Sequence, residues 1–168
     1  MPVSGTVTVS IDALETSTTN TAAQSPGARD NFNTSVEMSW TDGSGADQAN
    51  KQWSKRATLT ATSVTHDLTA LTGTFGTVTF TKIKLLVLVN ESTTDGAFLT
   101  LGNAASTQWA APFGGSTQTL KVGPGQALVL GSLKAQSTGA WTVDASNKSL
   151  KIDAGAATIT YKLVLIGV

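Results

Sequence analysis

Cysteine is absent from this sequence, which excludes a disulfide, a thiol nucleophile and a thiolate metal site and leaves the redox compartment unmarked. Charge is scarce as well. Only 13% of residues are charged, and 11 Lys and Arg balance 11 Asp and Glu. A nucleic-acid binder needs a basic excess to displace counterions from phosphates, and attraction to an anionic membrane needs a basic cluster. The sequence offers neither. No apolar run approaches the ~20 residues of a membrane helix. The start, Met1-Pro2-Val3-Ser4-Gly5, lacks a charged-then-apolar signal pattern. The expectation is a soluble product made in a cytoplasm. At 168 residues the chain has room for one domain with a substantial core.

What the chain has in excess is β-forming material. Serine and threonine make up roughly a quarter of it, well above the usual share, and β-branched threonine suits the solvent face of a strand. Residues 3–11 alternate, with Val7, Val9 and Ile11 set against Thr6, Thr8 and Ser10, the period of a half-exposed strand. Residues 15–31 are polar and broken by Pro26-Gly27, and read as a long loop or arm that binds something or is mobile. A strand returns at 33–40 and is turned by Asp42-Gly43-Ser44-Gly45. Residues 46–53 have moderate helix-forming character over about two turns, too few to persist unless packed.

Strand alternation resumes at 57–64, and the longest strand is expected at 77–90. Shorter ones follow at 97–101, 108–113, 117–122, 127–130, 141–144, 149–152 and 157–166. Gly123-Pro124-Gly125 suits a type II turn, the proline presetting one φ and the glycine supplying a positive one. Asp95-Gly96 and Gly114-Gly115 allow tight hairpins. Many short strands without intervening helices imply an all-β, antiparallel β-sandwich or barrel, and eight or more strands favour a jelly roll. The expected division is residues 1–31 as an N-terminal strand and extended arm, and 32–168 as the jelly-roll-like sandwich.

Candidate chemistry is thin. His66 is the single histidine and His66-Asp67 the single His–carboxylate neighbour. A triad also needs an aligned nucleophile, and no Gly-x-Ser-x-Gly elbow exists, so His66 reads as a turn or surface residue at a strand start. Asp42-Gly43-Ser44-Gly45-Ala46-Asp47 places two carboxylates and a serine in a glycine loop. It lacks the alternating oxygens and terminal Glu of an EF-hand loop, so a plain turn is the preferred reading. Asp12, Glu15, Glu37, Glu91, Asp95, Asp144 and Asp153 could supply a glycosidase pair, but no motif singles one out. The expectation is a protein without catalytic residues, metal or cofactor.

Two surfaces are sharper candidates. Trp40, Trp53, Trp109 and Trp141 could form a sugar-stacking platform on a β-sandwich or contact a partner. They could equally be core or hairpin-stapling residues, and packing is the preferred reading. The second surface comes from alternation. Along 80–89 one face carries Ile83, Leu85, Val87 and Val89, while the other begins with Lys82 and Lys84 and then turns apolar at Leu86 and Leu88. The last strand behaves alike, its polar face turning apolar at Val164 and Ile166. A half-buried strand needs one apolar face only, so Leu86, Leu88, Val164 and Ile166 imply a second covering layer. Either the N-terminal strand or arm supplies it within the monomer, or another subunit does.

The segment Trp40-Thr41-Asp42-Gly43-Ser44-Gly45-Ala46-Asp47-Gln48-Ala49-Asn50-Lys51-Gln52-Trp53, followed by Arg56-Ala57-Thr58-Leu59, resembles a pattern in small structural proteins of tailed bacteriophages. His66-Asp67-Leu68, Phe75-Gly76, Phe80-Thr81-Lys82-Ile83-Lys84, Pro112-Phe113-Gly114, Val122-Gly123-Pro124-Gly125 and Leu165-Ile166-Gly167 continue it in order. The resemblance covers about residues 36–168. Where such sequences carry an acidic residue after the aromatic, this one has Ser54-Lys55, so no contact is carried over through that position. What the resemblance implies is a jelly-roll virion protein without catalytic residues. The expected role is capsid decoration or cement, as a homotrimer bound to the major capsid protein or another virion protein. The alternatives are a tail, baseplate or head-fibre component, or a carbohydrate-binding module. Residues 3–31 are the expected capsid or neighbour contact.

Overall fold

The computed structural model describes residues 3–16, 29–46, 48–131 and 141–168, so the middle of the polar arm and Asp47 lie outside the described residues. The strands in chain order are β1 (Gly5–Thr16), β2 (Arg29–Asp42), β3 (Gln48–Ala49), β4 (Lys51–Thr60), β5 (Ser63–Asp67), β6 (Leu71–Gly73) and β7 (Gly76–Val78). They continue with β8 (Ile83–Asn90), β9 (Leu99–Gly102), β10 (Thr119–Val122), β11 (Ala127–Gly131), β12 (Ser149–Asp153) and β13 (Thr158–Gly167). Among the described residues there is no helix.

Two four-stranded antiparallel sheets, ordered β4-β13-β8-β11 and β5-β12-β9-β10, form the sandwich. The pairs β4/β13, β5/β12, β8/β11 and β9/β10 nest inside one another along the chain. That nesting, a long antiparallel ribbon folded over so that alternate pairs fall in opposite sheets, is the jelly roll. The turn chemistry matches the positions where the ribbon bends. Gly125 takes φ 68° and Gly96 φ 78°, and Gln126 N–H closes the first of these turns on Gly123 O at 3.1 Å.

Inward-facing residues of both sheets meet in one core, in which Trp109, Tyr161, Phe80, Leu86, Leu88, Leu101 and Ile152 are fully buried. A small second core lies on the outer face of the β4-β13-β8-β11 sheet. There Met38, Trp40 and Ala49 pack on Leu85, with Val7, Val87 and Ile166 at its margin. β8 serves both cores by alternation, and one irregularity sets the facing of its first residue. Ile166 pairs with Leu85 but Gly167 pairs with Ile83, leaving Lys84 as the extra residue of a bulge. An inserted residue reverses the facing of everything beyond it, so Ile83, Leu86 and Leu88 all point into the main core.

β1 and β2 form one hairpin of twelve residue pairs, from Gly5↔Trp40 to Thr16↔Arg29. The boundary at residue 31 therefore falls inside β2, and the hairpin runs on to Asp42. Other segments differ from expectation, among them 141–144, which makes isolated bridges and no strand. Residues 48–49 and 51–53 are strand rather than helix-like, because β3 pairs with β2 and β4 gains a ten-pair ladder with β13 starting at Lys51↔Gly167. The strand expected at 77–90 breaks where Phe80 turns into the core, its N–H on Leu68 O at 3.0 Å. Residues 108–113 make only an isolated bridge and then a turn, Phe113 N–H to Ala110 O at 2.9 Å. Pro112 could not serve a central ladder there.

The hairpin base is fitted to the sheet at Gly131, where an added Cβ would meet Met38 Sδ at 2.3 Å. Gly131→Ala is expected to displace Met38 and cost about 1–2 kcal/mol. A lowered urea midpoint with an unchanged m-value would register it.

Candidate functional site

The hairpin's surface follows from its register. Val7↔Met38, Val9↔Val36 and Ile11↔Thr34 are paired across the two strands, so with a side-chain period of two they share one face. Thr8↔Glu37, Ser10↔Ser35 and Asp12↔Asn33 share the other. The base of the apolar face is spent on the second core, through Val7 and Met38. Beyond it residues 8–13 and 33–37 are exposed, and Val9, Ile11 and Val36 are 42%, 51% and 46% accessible. Glu37 and Asp12 are the charges on the described side chains of this exposed stretch, and both lie on the polar face. The result is a neutral, β-branched stripe standing off the sandwich. Twelve strand residues reach about 40 Å.

Leu86 and Leu88, expected as interface residues, are instead fully buried between the sheets. The bulge at Lys84 is the reason, since it puts Leu85 and Val87 on the outer face in their place. Val164 and Ile166 do lie on the outer face and are half-buried. Val164 sits in a row with Val87 and Val129. The second layer over Leu85, Val87 and Ile166 is the hairpin base.

The tryptophans form no sugar platform. Trp40, Trp53 and Trp109 are 4%, 5% and 0% exposed and Trp141 is half-buried. Trp109 stands edge-on to Trp141 and Phe113 and donates Nε1–H to Thr142 O at 3.1 Å. Trp53 donates to Thr72 O at 2.9 Å. These rings fill the core and spend their polar edge inside it.

His66 is no surface residue. It is 6% exposed, its Nε2 lies 3.2 Å from Tyr161 Oη, and its ring meets Trp53 edge-on at 5.2 Å. Burial first, and the Lys55 ammonium second, push its pKa down to about 4. Burial raises the Tyr161 hydroxyl. The pair is thus neutral near pH 7, and among the described residues no serine or carboxylate side chain is bonded to it.

In the 42–47 loop the backbone oxygens already serve a cation, one supplied by the protein. Lys84, 3% exposed, donates from Nζ to Gly45 O at 2.5 Å, Ala46 O at 3.0 Å and Gln48 O. The sequence pointed to the loop and missed the lysine, whose apolar neighbours on β8 give no sign of a buried ammonium.

Of the carboxylates that could have supplied a glycosidase pair, Glu91 and Asp144 are tied into local contacts. Glu91 bridges Lys162 at 2.8 Å and Arg56 at 2.7 Å. Asp144 accepts from Ser146 N–H at 2.7 Å and Asn147 N–H at 2.9 Å within its own turn. Among the described residues no three His, Asp or Glu side chains come together as a metal site.

Asp95 and Asp153 line one open groove on the outer face of the β5-β12-β9-β10 sheet, beside Phe98, which is 47% exposed. Phe98 was not singled out by sequence, where Ala97-Phe98-Leu99 reads as strand with no clue to facing. Comparison with protein-family models, with curated proteins and with solved structures finds no match to this chain.

Proposed function

We propose that this chain is a non-enzymatic structural protein of a tailed-phage virion, a decoration or cement protein that binds the capsid surface as a symmetric oligomer, with a trimer expected. The observation that carries this reading is the β1–β2 hairpin. A rigid jelly roll holds the hairpin base in a packed second core while the rest of its apolar face meets water. An isolated two-stranded ribbon is at best marginally stable in water, and soluble monomers seldom expose contiguous apolar surface. Such a ribbon is completed by lying on another protein. The net charge of zero suits a lattice-bound protein held by packing rather than by electrostatic steering. In an oligomer, each bound hairpin raises the effective concentration of the others, so modest single contacts add up to firm attachment.

The test shortens the hairpin and leaves its base. Residues 9–36 are replaced by an Asn-Gly turn joining Thr8 to Glu37, which are cross-strand partners. Cosedimentation with shells of the encoding phage that lack the protein is the readout. Wild type is expected to bind and the shortened protein to stay in solution while folded. Equal binding by both would remove the hairpin's role, and a wild type that ignores the shells would remove the capsid reading.

A further inference from the structure

The groove beside Phe98 shares no lining residue with the hairpin and has a different chemistry. Its volume is about 600 Å3, within the range of small-molecule sites. The floor is the outer face of the sheet, where Lys121, Thr100 and Asp153 stand in one cross-strand row. Next to that row Gly102 lets the Gln118–Thr119 backbone approach closely. It has φ 108°, and a Cβ there would meet Gln118 O at 2.7 Å.

Both walls are fixed from below. The 94–98 wall hangs on Asn90, which is fully buried, donates Nδ2–H to Ala97 O at 2.8 Å and Val122 O at 3.0 Å, and accepts from Ser92 N–H at 3.0 Å. The opposite wall is held by Gly155 N–H to Asp153 Oδ1 at 2.8 Å and Ala157 N–H to Ala154 O at 3.1 Å. With one wall tied to a buried asparagine and the other closed by short-range turn bonds, the recess is preformed, and binding in it costs little ordering.

From these walls comes one exposed aromatic ring among hydrogen-bonding groups. Lys151 pairs with Asp153 at 2.9 Å, and Lys121 has no carboxylate partner among the described residues. Asp95 and Asp153 offset Lys121 and Lys151, so the groove has no net charge to draw a polyanion. The Lys151 ammonium and the Gly155 N–H hold the Asp153 carboxyl below its usual range, so it is an acceptor at neutral pH. A single ring offers one flat apolar face and no deep pocket for a peptide side chain.

We propose that this groove binds a saccharide, with a pyranose ring stacked on Phe98 and its hydroxyls bonded to Asp153, Thr100 and Lys121. A pyranose matches the groove because it has an apolar C–H face and a rim of hydroxyls that both donate and accept. The ammonium supplies donors, the carboxylate acceptors and the threonine either.

The experiment uses the full chain on an array of bacterial capsular and O-antigen oligosaccharides, with neutral and uronate-containing members. Hits are titrated by saturation-transfer NMR. Wild type is expected to retain at least one saccharide, and Phe98→Ala to weaken it by ~10-fold or more, the loss of one aromatic contact. Phe98→Trp should keep or tighten binding. Phe75→Ala, at the 84% exposed tip between β6 and β7, should leave it unchanged. Lys121→Ala, a surface change that leaves the ring in place, should weaken binding as well. No saccharide retained on either arm overturns the proposal, as does wild-type affinity in both Phe98→Ala and Lys121→Ala. Neither result touches the capsid reading, which the hairpin carries.

Discussion

Replacing Lys84 with methionine is expected to cost roughly 2–4 kcal/mol of stability, although both side chains have similar length and an apolar stem. The lysine is the extra residue at the bulge of β8, between Ile83, which pairs with Gly167, and Leu85, which pairs with Ile166. Its side chain runs outward under the 43–49 segment, where the carbonyls of Gly45, Ala46 and Gln48 are among the partners of Nζ. An ammonium has three donors and is tolerable out of water only when they are engaged. With methionine these oxygens face a thioether, and each loses a charge-assisted bond. Water can reach Gly45 and Ala46, which are exposed, and this keeps the cost below that of three orphaned carbonyls. The damage should spread to the hairpin. Ala49 is fully buried in the second core beside Met38 and Trp40, and its strand pairs with β2 through Thr41↔Gln48 and Asp42↔Ala49. Urea unfolding gives the stability change, and amide exchange along β1–β2 gives the spread. A variant within ~0.5 kcal/mol of wild type, the ordinary range of a surface change, would show that the loop holds itself.

That lysine also marks the limit of what alternation can disclose. The all-β class was legible because glycine and proline stand where positive φ or a fixed turn is needed, as at Gly96 and Gly125. Strand-length apolar runs did the rest. That β8 and β13 are apolar on both faces was legible too. Which residues face which layer was not, since a strict period of two cannot reveal one extra residue, and the bulge moved Leu86 and Leu88 from the supposed surface into the core. Residues 46–53 illustrate a different failure. Their weak helical character lost to a ladder with β13, more than a hundred residues away in sequence, as tertiary pairing overrides propensity. His66 belongs with them. Nothing beside it in sequence announces Tyr161, 95 residues further on, as its partner. The apolar stripe of β1 was visible as Val7, Val9 and Ile11, but its exposure depends on β2 supplying Val36 and Met38 on the same face.

The second large effect concerns acid. His66 is held neutral by the fold, with its pKa pushed from 6.5 down to about 4 by burial and, less strongly, by Lys55. The unfolded chain therefore binds a proton in the window between those values that the folded chain refuses. Stability rises with pH wherever the unfolded state holds more protons. The contribution is full above about pH 6.5, declines as pH falls through the window, and levels off below about pH 4. A shift of this size corresponds to about 3 kcal/mol across the window.

Glu91 is held below the usual carboxylate range chiefly by Lys162, and Asp144 by the N–H of Ser146. Depressed carboxylates lose their contribution as pH falls through and below the ordinary carboxylate range, so most of their effect comes after the His66 window. Urea midpoints in the wild type should hold level from pH 7.5 to about 6.5 and then fall down to pH 4.5. His66→Gln keeps a polar group near Tyr161 Oη but has nothing to protonate, and its midpoint should stay nearly level over the same range. An imidazole titrating near 6.5 by NMR in the folded protein, or an equal acid slope in His66→Gln, would contradict the buried neutral histidine. The distinction bears on assembly as well. The histidine sits where β5 of one sheet faces β13 and β4 of the other, so a proton forced onto it would loosen the packing between the two sheets, one of which carries the hairpin base on its outer face.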